Sequence, residues 1–385
     1  MTARILIVGG GIAGLTTGIA LRRAGFEVTI FEQAAVLSEA GAGISLSQAA
    51  LSVYRALGLG AAIEAAAQVT ADMAFLHFRT GALLAGKLDL GGGSGDAAAP
   101  LAARQIHRAD LQAMLIESFL ESGGSLRAGH RLDRIAGPDH RPTAVFANGA
   151  RAEGDLVIGA DGLKSRVRAL LWGADEARFT GQVAYRFLVP VEAGAAYLSF
   201  GRSAVFQGPG RIFNRYTIRG GALINCVGIV RSAAWLDDGW SIAATRDEML
   251  SEYQGWHPEV TGLIRRSGRS HKWGLQDRPP LARWSRGPVT LVGDAAHPML
   301  PFLGLGAAMA IEDAMVLARA VTATGDATAF GRYEAARRPR TRLVQEQSAR
   351  QGELVQDLDP DTFDPGTAPS HDPAYYGYDP VTAAI

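Results

Sequence analysis

Three features of this 385-residue chain predict an α/β fold in which a parallel-stranded unit is interrupted by an antiparallel sheet. An apolar run, a glycine turn, a helix-length stretch and a second apolar run follow one another over residues 4–32. Two later apolar runs, at 155–162 and 288–294, each end in an acidic turn. Between them, residues 181–231 break into short runs of period-two alternation. The first two patterns belong to βαβ units and the third to strands joined by tight turns.

The length favours two or three folding units, because single cores rarely grow past about 200 residues. With 38 basic residues against 38 acidic ones, the chain has no net field to draw it to nucleic acid or an anionic membrane. No apolar stretch approaches the ~18 residues of a spanning helix, and the glycines at 9–11 interrupt the run that a secretory leader would need. Cys226 is the single cysteine, which rules out an internal disulfide and a thiolate metal site; no metal is expected. A cytoplasmic protein, monomeric or homodimeric, with small-molecule partners is the simplest reading.

The N-terminal unit carries the most information. Arg4 to Val8 reads as a strand, the helix-length stretch Leu15 to Ala24 is closed by Gly25, and Val28 to Phe31 reads as a second strand ending at Glu32. The intervening GGGIAG fits G-x-G-x-x-G at Gly9, Gly11 and Gly14, with Ile12 and Ala13 between. Such glycines allow a tight turn, close approach of backbone to a pyrophosphate and close packing of helix on strand; the helix start adds unpaired N–H groups and a positive dipole. A carboxylate at Glu32 is placed to accept hydrogen bonds from an adenosine ribose. Together these make a Rossmann-like dinucleotide unit.

Further along, 88–100 reads as a flexible loop and His107 to about Ser122 as a helix whose Arg108 could reach a cofactor phosphate or a surface carboxylate. Asn148-Gly149 signals a type I′ hairpin. Alternation between 181 and 231 places Phe213, Arg215 and Thr217 on one face and Asn214, Tyr216 and Ile218 on the other, with a hairpin at Gly220-Gly221. Residues 237–266 read as helical, and 357–385, rich in Asp, Pro and Tyr, as a surface segment.

Three blocks in order, GGGIAG with Glu32, Gly159-Ala-Asp161-Gly162, and Gly293-Asp294-Ala-Ala-His297-Pro298, resemble the class A FAD-dependent aromatic hydroxylases, the single-component flavoprotein monooxygenases. His107-Arg108-Ala109-Asp110-Leu111, Trp284-Ser285-Arg286-Gly287, Met309 to Ala314 and Tyr376-Gly377-Tyr378-Asp379-Pro380 bring the likeness nearer to the 6-hydroxynicotinate 3-monooxygenase and salicylate hydroxylase branches. The resemblance implies a discontinuous FAD-binding domain over 1–72, 101–180 and 283–350, an inserted substrate-binding β-sheet domain over 73–100 and 181–282, and a C-terminal extension over 351–385. It also implies FAD as cofactor, NADH or NADPH as co-substrate, and oxygen transfer through a flavin C4a-hydroperoxide to an electron-rich ring, with decarboxylation as a variant.

By the same resemblance, FAD would be held by Gly9, Gly11, Ile12, Ala13, Gly14, Glu32, Arg108, Asp161, Gly162, Gly293, Asp294, Gly304, Gly306 and Ala307. Asp161 and Gly162 would also serve the nicotinamide cofactor. The helix starting at Gly304 to Gly306 would aim its N–H groups at the reduced flavin. Candidate substrate walls are Tyr185, Arg186, Phe213 and Tyr216 from the sheet and Pro298, Pro301 and Phe302 from the loop after Asp294. Tyr216 and His297 are the candidate catalytic groups, with a structural hydrogen bond as the alternative for His297.

Three positions depart from the family pattern. Leu305 stands where a glutamine is usual, Ser45 follows Gly41-Ala-Gly-Ile44 where the hydroxynicotinate enzymes place a histidine, and Phe302 replaces another. Each removes a polar group, which keeps open a less polar substrate, a same-fold epoxidase or reductase, or an FAD-binding protein without hydroxylase activity.

Overall fold

The N-terminal apolar run forms the middle of a five-stranded parallel sheet, ordered Val289–Leu291, Leu156–Gly159, Arg4–Val8, Glu27–Phe31 and Ser125–Arg127. The computed structural model describes residues 3–37, 42–69, 73–88, 103–137, 141–174, 176–235, 242–363 and 373–385. Parallel strands need crossovers and cover on both faces, hence their near-continuous apolar runs. The helix Ile12–Arg23 packs on this sheet and against the helix Gly306–Thr324, burying Leu15, Ile19, Ile311 and Val316 in one core. The strand Leu156–Gly159 brings the Asp161 turn beside Gly9, and Val289–Leu291 delivers the Asp294 turn to the same edge.

A second, eight-stranded sheet runs in the order Ile242–Ala244, Ser270–Asp277, Arg178–Pro190, Leu223–Arg231, Arg211–Ile218, Ser203–Gly208, Met73–His77 and Leu83–Leu88. It departs from the expected antiparallel sheet at one pair: Met73–His77 runs parallel to Ser203–Gly208. The connection between them passes through the other sheet, a crossover long enough to bring the chain back in the same direction.

The two faces of this sheet have different neighbours. Tyr185, Phe187 and Phe213 pack against Met249, Tyr253, Val260 and Leu263 from the helices Arg246–Glu252 and Pro258–Arg265. Buried Arg215 pairs on that face with Glu259. The opposite face carries Ala184, Ile212, Ile229 and Leu275, and packs on Leu300 and on Val355 of the long helix Ala329–Asp357.

Several local expectations change. The stretch expected as helical over 237–266 holds a strand, Ile242–Ala244, and two short helices; 236–241 lie outside the described residues. The loop expected over 88–100 lies outside them too, except for Leu88, which ends a strand. The strands Thr143–Phe146 and Arg151–Glu153 do form a hairpin, but Gly149 alone has a positive φ there, so the turn is not type I′; Asn148 instead accepts from the Ala150 N–H. The C-terminal segment is fastened rather than laid over the surface: Tyr375, Tyr376, Val381 and Ile385 pack on the first core.

Candidate active site

The glycine turn is built by exclusion. Gly9 has φ +110°, and a Cβ there would come within 2.3 Å of the Ala160 carbonyl oxygen; at Gly14 it would be 2.0 Å from the Gly9 oxygen. Strand end, turn and helix therefore touch with no room for a side chain. Gly11 differs: nothing lies within 4 Å of a Cβ built on it. The open side of the turn faces away from the protein at the start of the helix Ile12–Arg23, the geometry a pyrophosphate needs for close approach to backbone N–H groups.

Glu32 ends the second strand with both oxygens occupied by backbone donors, Oε2 by the Gly10 N–H and Oε1 by the Ala34 N–H, each at 2.8 Å. Each carboxylate oxygen keeps a further lone pair for a ribose hydroxyl. Gln112 adds a hydrogen bond to the Gly10 carbonyl. Arg108 opens the helix Arg108–Glu121, its N–H fixed on the Ala42 carbonyl at 2.8 Å.

The Asp161 carboxylate is turned inward. It accepts from Ser165 Oγ and from the N–H groups of Arg166 and Val167, and so caps the helix Arg166–Trp172. Burial raises its pKa. The side chain expected to serve the two nucleotides thus also caps a helix, with three acceptor sites taken by Ser165, Arg166 and Val167. Gly162, at φ +74° with open space around it, is the accessible member of the pair.

Asp294 follows Gly293, which has φ +60°, and its side chain is reached by solvent although protein surrounds it. Burial raises its carboxyl above the usual range, while the charges of His297 and Arg108 work the other way. A carboxylate that is accessible within a low-polarity enclosure lines a cleft. The turn is held from behind: Gly293 N–H donates to Asp313 Oδ2 at 3.0 Å, and His297 Nε2 donates to the same oxygen at 2.5 Å. His297 is buried, with its ring against Trp284. The structure therefore gives His297 a structural bond rather than an open approach to substrate.

Beyond the turn, Gly304 sits outside the helix it was expected to start. It takes φ +66° after a 3-10 turn at Pro301–Leu303, and the helix begins at Gly306 with Ala307 next. Leu305 points into the core, 4% exposed, so the residue type at this position does not present its side chain to the cleft. Phe302 lies against Gly352 and the second sheet, and Ser45 lies near Gly304.

The second sheet meets the first unit at Gly43. Tyr216 packs on Gly43, where a Cβ would come within 2.5 Å of its ring, and Asn225 Oδ1 accepts the Gly43 N–H at 2.8 Å. Burial pushes the Tyr216 hydroxyl up to about 12, opposed by the nearby Arg186 charge. Cross-strand pairing places Arg186, Val227 and Asn214 in one row on this face. All three retain partial exposure where flanking rows are buried. Arg186 lies over the Trp273 ring at 5.1 Å, its Nε has no hydrogen-bond partner among the described residues, and neither has Asn214 Oδ1. Burial and the Arg108 charge lower the Arg186 pKa, and Tyr216 opposes them.

Of the expected substrate walls, Arg186 and Tyr216 share this face. Phe302 packs on it from the loop, while Pro301 is exposed and Pro298 is buried with its carbonyl accepting from Gln345. Tyr185 and Phe213 are corrected: both point to the other side of the sheet, where Tyr185 donates to Glu248 Oε1 at 3.0 Å and Phe213 stacks edge-on with Tyr253. Strand alternation forbids Tyr185 and Arg186, or Phe213 and Tyr216, from facing the same way. Residues that sequence reasoning missed are Asn225, Asn214 and Arg337. The signal for Arg337 was Glu312-Asp313 within an otherwise apolar helix, two carboxylates that require a buried partner. No helix among the described residues is long and apolar enough to cross a membrane.

The family described as FAD binding domain matches residues 2–348. The chain is 37% identical to a 3-amino-4-hydroxybenzoate 2-monooxygenase of Streptomyces platensis, over 91% of this chain and 87% of that one. It is 34% identical to a 6-hydroxynicotinate 3-monooxygenase of Pseudomonas fluorescens, covering 89% of each. Among solved structures, a salicylate hydroxylase substrate complex superposes with a TM-score of 0.82 at 26% identity, covering 98% of this chain and 96% of that one.

Proposed function

The chain belongs to the FAD binding domain family, as an FAD-dependent aromatic-ring monooxygenase, and on that premise we propose that its cleft hydroxylates a small aromatic or heteroaromatic anion held by Arg186 and Tyr216. One observation carries this reading: a guanidinium with no carboxylate partner among the described residues stands on the sheet face from which Tyr216 packs on Gly43, near enough to Arg108 to feel the same charge that acts on Asp294. A buried cation without a counter-ion is costly, and an anionic ligand removes that cost. The substrates in the relatives' names, hydroxybenzoates and a hydroxynicotinate, each combine a carboxylate with a ring hydroxyl.

The residues fit the cofactor. The open backbone at Gly11 to Ala13 would take the pyrophosphate, Glu32 the adenosine ribose, Arg108 a phosphate charge, Asp294 the sugar-alcohol chain, and the helix start at Gly306 and Ala307 the electron-rich end of the ring system. When bound, FAD supplies the oxygen-activating chemistry, with NADH or NADPH as the source of electrons. The protein's own part is placement and charge. Arg186 pairs with the substrate anion and favours ionisation of a ring hydroxyl, since a positive charge in a low-polarity site lowers the energy of a phenolate. Tyr216, kept protonated through neutral pH by its raised pKa, donates a hydrogen bond to that oxygen rather than acting as the resting base. The loop from Pro298 to Phe302 and the Trp273 ring shield the site from water.

The test is a panel of hydroxylated aromatic and pyridine carboxylates, scored by NAD(P)H consumption and by mass spectrometry under isotopically labelled oxygen. One labelled atom in the product supports hydroxylation, and loss of carbon dioxide marks the decarboxylative variant. NAD(P)H oxidation that proceeds without oxygen would point to a reductase and end this reading.

A further inference from the structure

A buried ionic network lies behind the Gly293-Asp294 turn and reaches the C-terminal segment. Arg337 donates through Nε to Asp313 Oδ1 and through a terminal nitrogen to Glu312, both at 2.7 Å; all three side chains are fully buried. Arg340 makes a two-nitrogen pair with Glu312 at 2.7 and 2.9 Å and also donates to the Tyr375 carbonyl. The Tyr378 ring covers both guanidiniums, 5.1 Å from Arg337 and 4.4 Å from Arg340. Arg319 pins the same segment through the Pro380 carbonyl.

The geometry points to Tyr378 as a positioning residue for FAD, acting through Arg337 and Asp313 on the Gly293-Asp294 turn. Asp313 is the shared element: one oxygen takes Arg337, and the other takes the Gly293 N–H and His297. A carboxylate held at one oxygen keeps the other in register with the turn. Two guanidiniums side by side repel, and the aromatic face above them offsets that repulsion and keeps water from competing for Glu312 and Asp313. Removing the ring lets Arg340 turn to solvent, loosens Arg337 and allows the Gly293 turn to drift from the position that Asp294 needs. The Tyr378 hydroxyl is buried with no partner among the described residues, so the ring rather than the hydroxyl carries the effect.

This inference rests on Asp294 contacting FAD, and the experiment separates the two. FAD dissociation constants are measured by flavin fluorescence on Tyr378→Ala, Tyr378→Phe, Tyr378→Leu and Asp294→Ala, together with visible circular dichroism of the bound flavin. Tyr378→Ala should weaken FAD binding about tenfold, the order expected from losing two cation–aromatic contacts. Tyr378→Phe should match the parent, and Tyr378→Leu, which fills the space without a π face, should resemble Ala; Leu also serves if the Ala variant does not fold. Parent affinity in both Tyr378→Ala and Tyr378→Leu, with loss in Asp294→Ala, overturns the positioning role alone. Parent affinity in Asp294→Ala overturns the Asp294 contact on which it depends. Loss in Tyr378→Phe equal to that in Ala also overturns the role, since the ring would then not be what matters.

Discussion

The two walls of the cleft are built on opposite principles. Around the glycine turns the packing is already tight: Gly9 and Gly14 are wedged against backbone, Gly293 against the Ala13 and Ala310 side chains, and the Gly10, Ala34 and Gly293 N–H groups all find carboxylates. On the sheet face across the cleft, Arg186 and Asn214 keep unpaired polar atoms beside a row of partly exposed side chains. On the proposed function, the difference separates a permanent cofactor from a transient substrate. A wall that carries a resident group can be completed in advance, while a wall that must exchange its ligand keeps polar groups unsatisfied until the ligand arrives.

The largest effect should come from breaking the completed wall. Gly14→Ala places a methyl 2.0 Å from the Gly9 oxygen, so the helix or the turn must shift. FAD retention, read as visible absorbance of purified protein, should fall by about a hundredfold or more, equivalent to ~3 kcal/mol or more. Full yellow colour would show that the turn has slack. Next is the open wall: Arg186→Gln should lower kcat/KM for a carboxylate-bearing substrate by about a hundredfold, of the order seen when one partner of a buried charge pair is truncated. Its FAD content should stay at the parent level, and equal losses of both would erase the division between the walls.

Asp294 and Asp313 sharpen the comparison, because their titrations run in opposite senses. Burial pushes Asp313 up, but the charges of His297 and Arg337 outweigh it and hold the carboxyl at about 2. A depressed carboxyl contributes stability above the ordinary aspartate range and loses it as pH falls from about 4 towards about 2. Asp294 is raised, so its charge costs stability at neutral pH and that cost is relieved on acidification. Asp294→Asn should therefore lower FAD affinity about tenfold and raise the apoprotein Tm by about two to four degrees. Acid unfolding of Asp313→Asn should show a flatter pH dependence between about 4 and 2 than the parent, and an unchanged slope would remove Asp313 from the acid transition. The smallest effect belongs to the far face of the sheet: Tyr185→Phe should cost about 1 kcal/mol through the lost bond to Glu248 and leave kcat/KM within about twofold.

Much of this was legible beforehand. Glycine spacing announced the first wall because backbone geometry there tolerates no substitute, and Glu32 and Asp294 stood at strand ends where their chemistry had an obvious use. Alternation also stated that Phe213 and Tyr216 face opposite ways; which of those faces meets the cleft depends on the helices Arg246–Glu252 and Pro258–Arg265, whose docking no local pattern encodes. Asp161 could not be told from Asp294 by position, since both stand in a turn just after a strand. What divides them is Ser165, four residues on, which turns the first into a helix cap. The tail was misread because its aromatic residues bind cations brought in from a distant helix.

The parallel pairing of Met73–His77 with Ser203–Gly208 has a consequence for how the protein is made. The earlier strand leaves the ribosome roughly 125 residues before its partner exists, a wait of about ten seconds at ordinary rates of translation. Through that interval Phe75 and Leu76 have a partner on one side only, the strand Leu83–Leu88, so the nascent chain carries an unfinished sheet edge that a chaperone or a slow codon stretch would be well placed to guard.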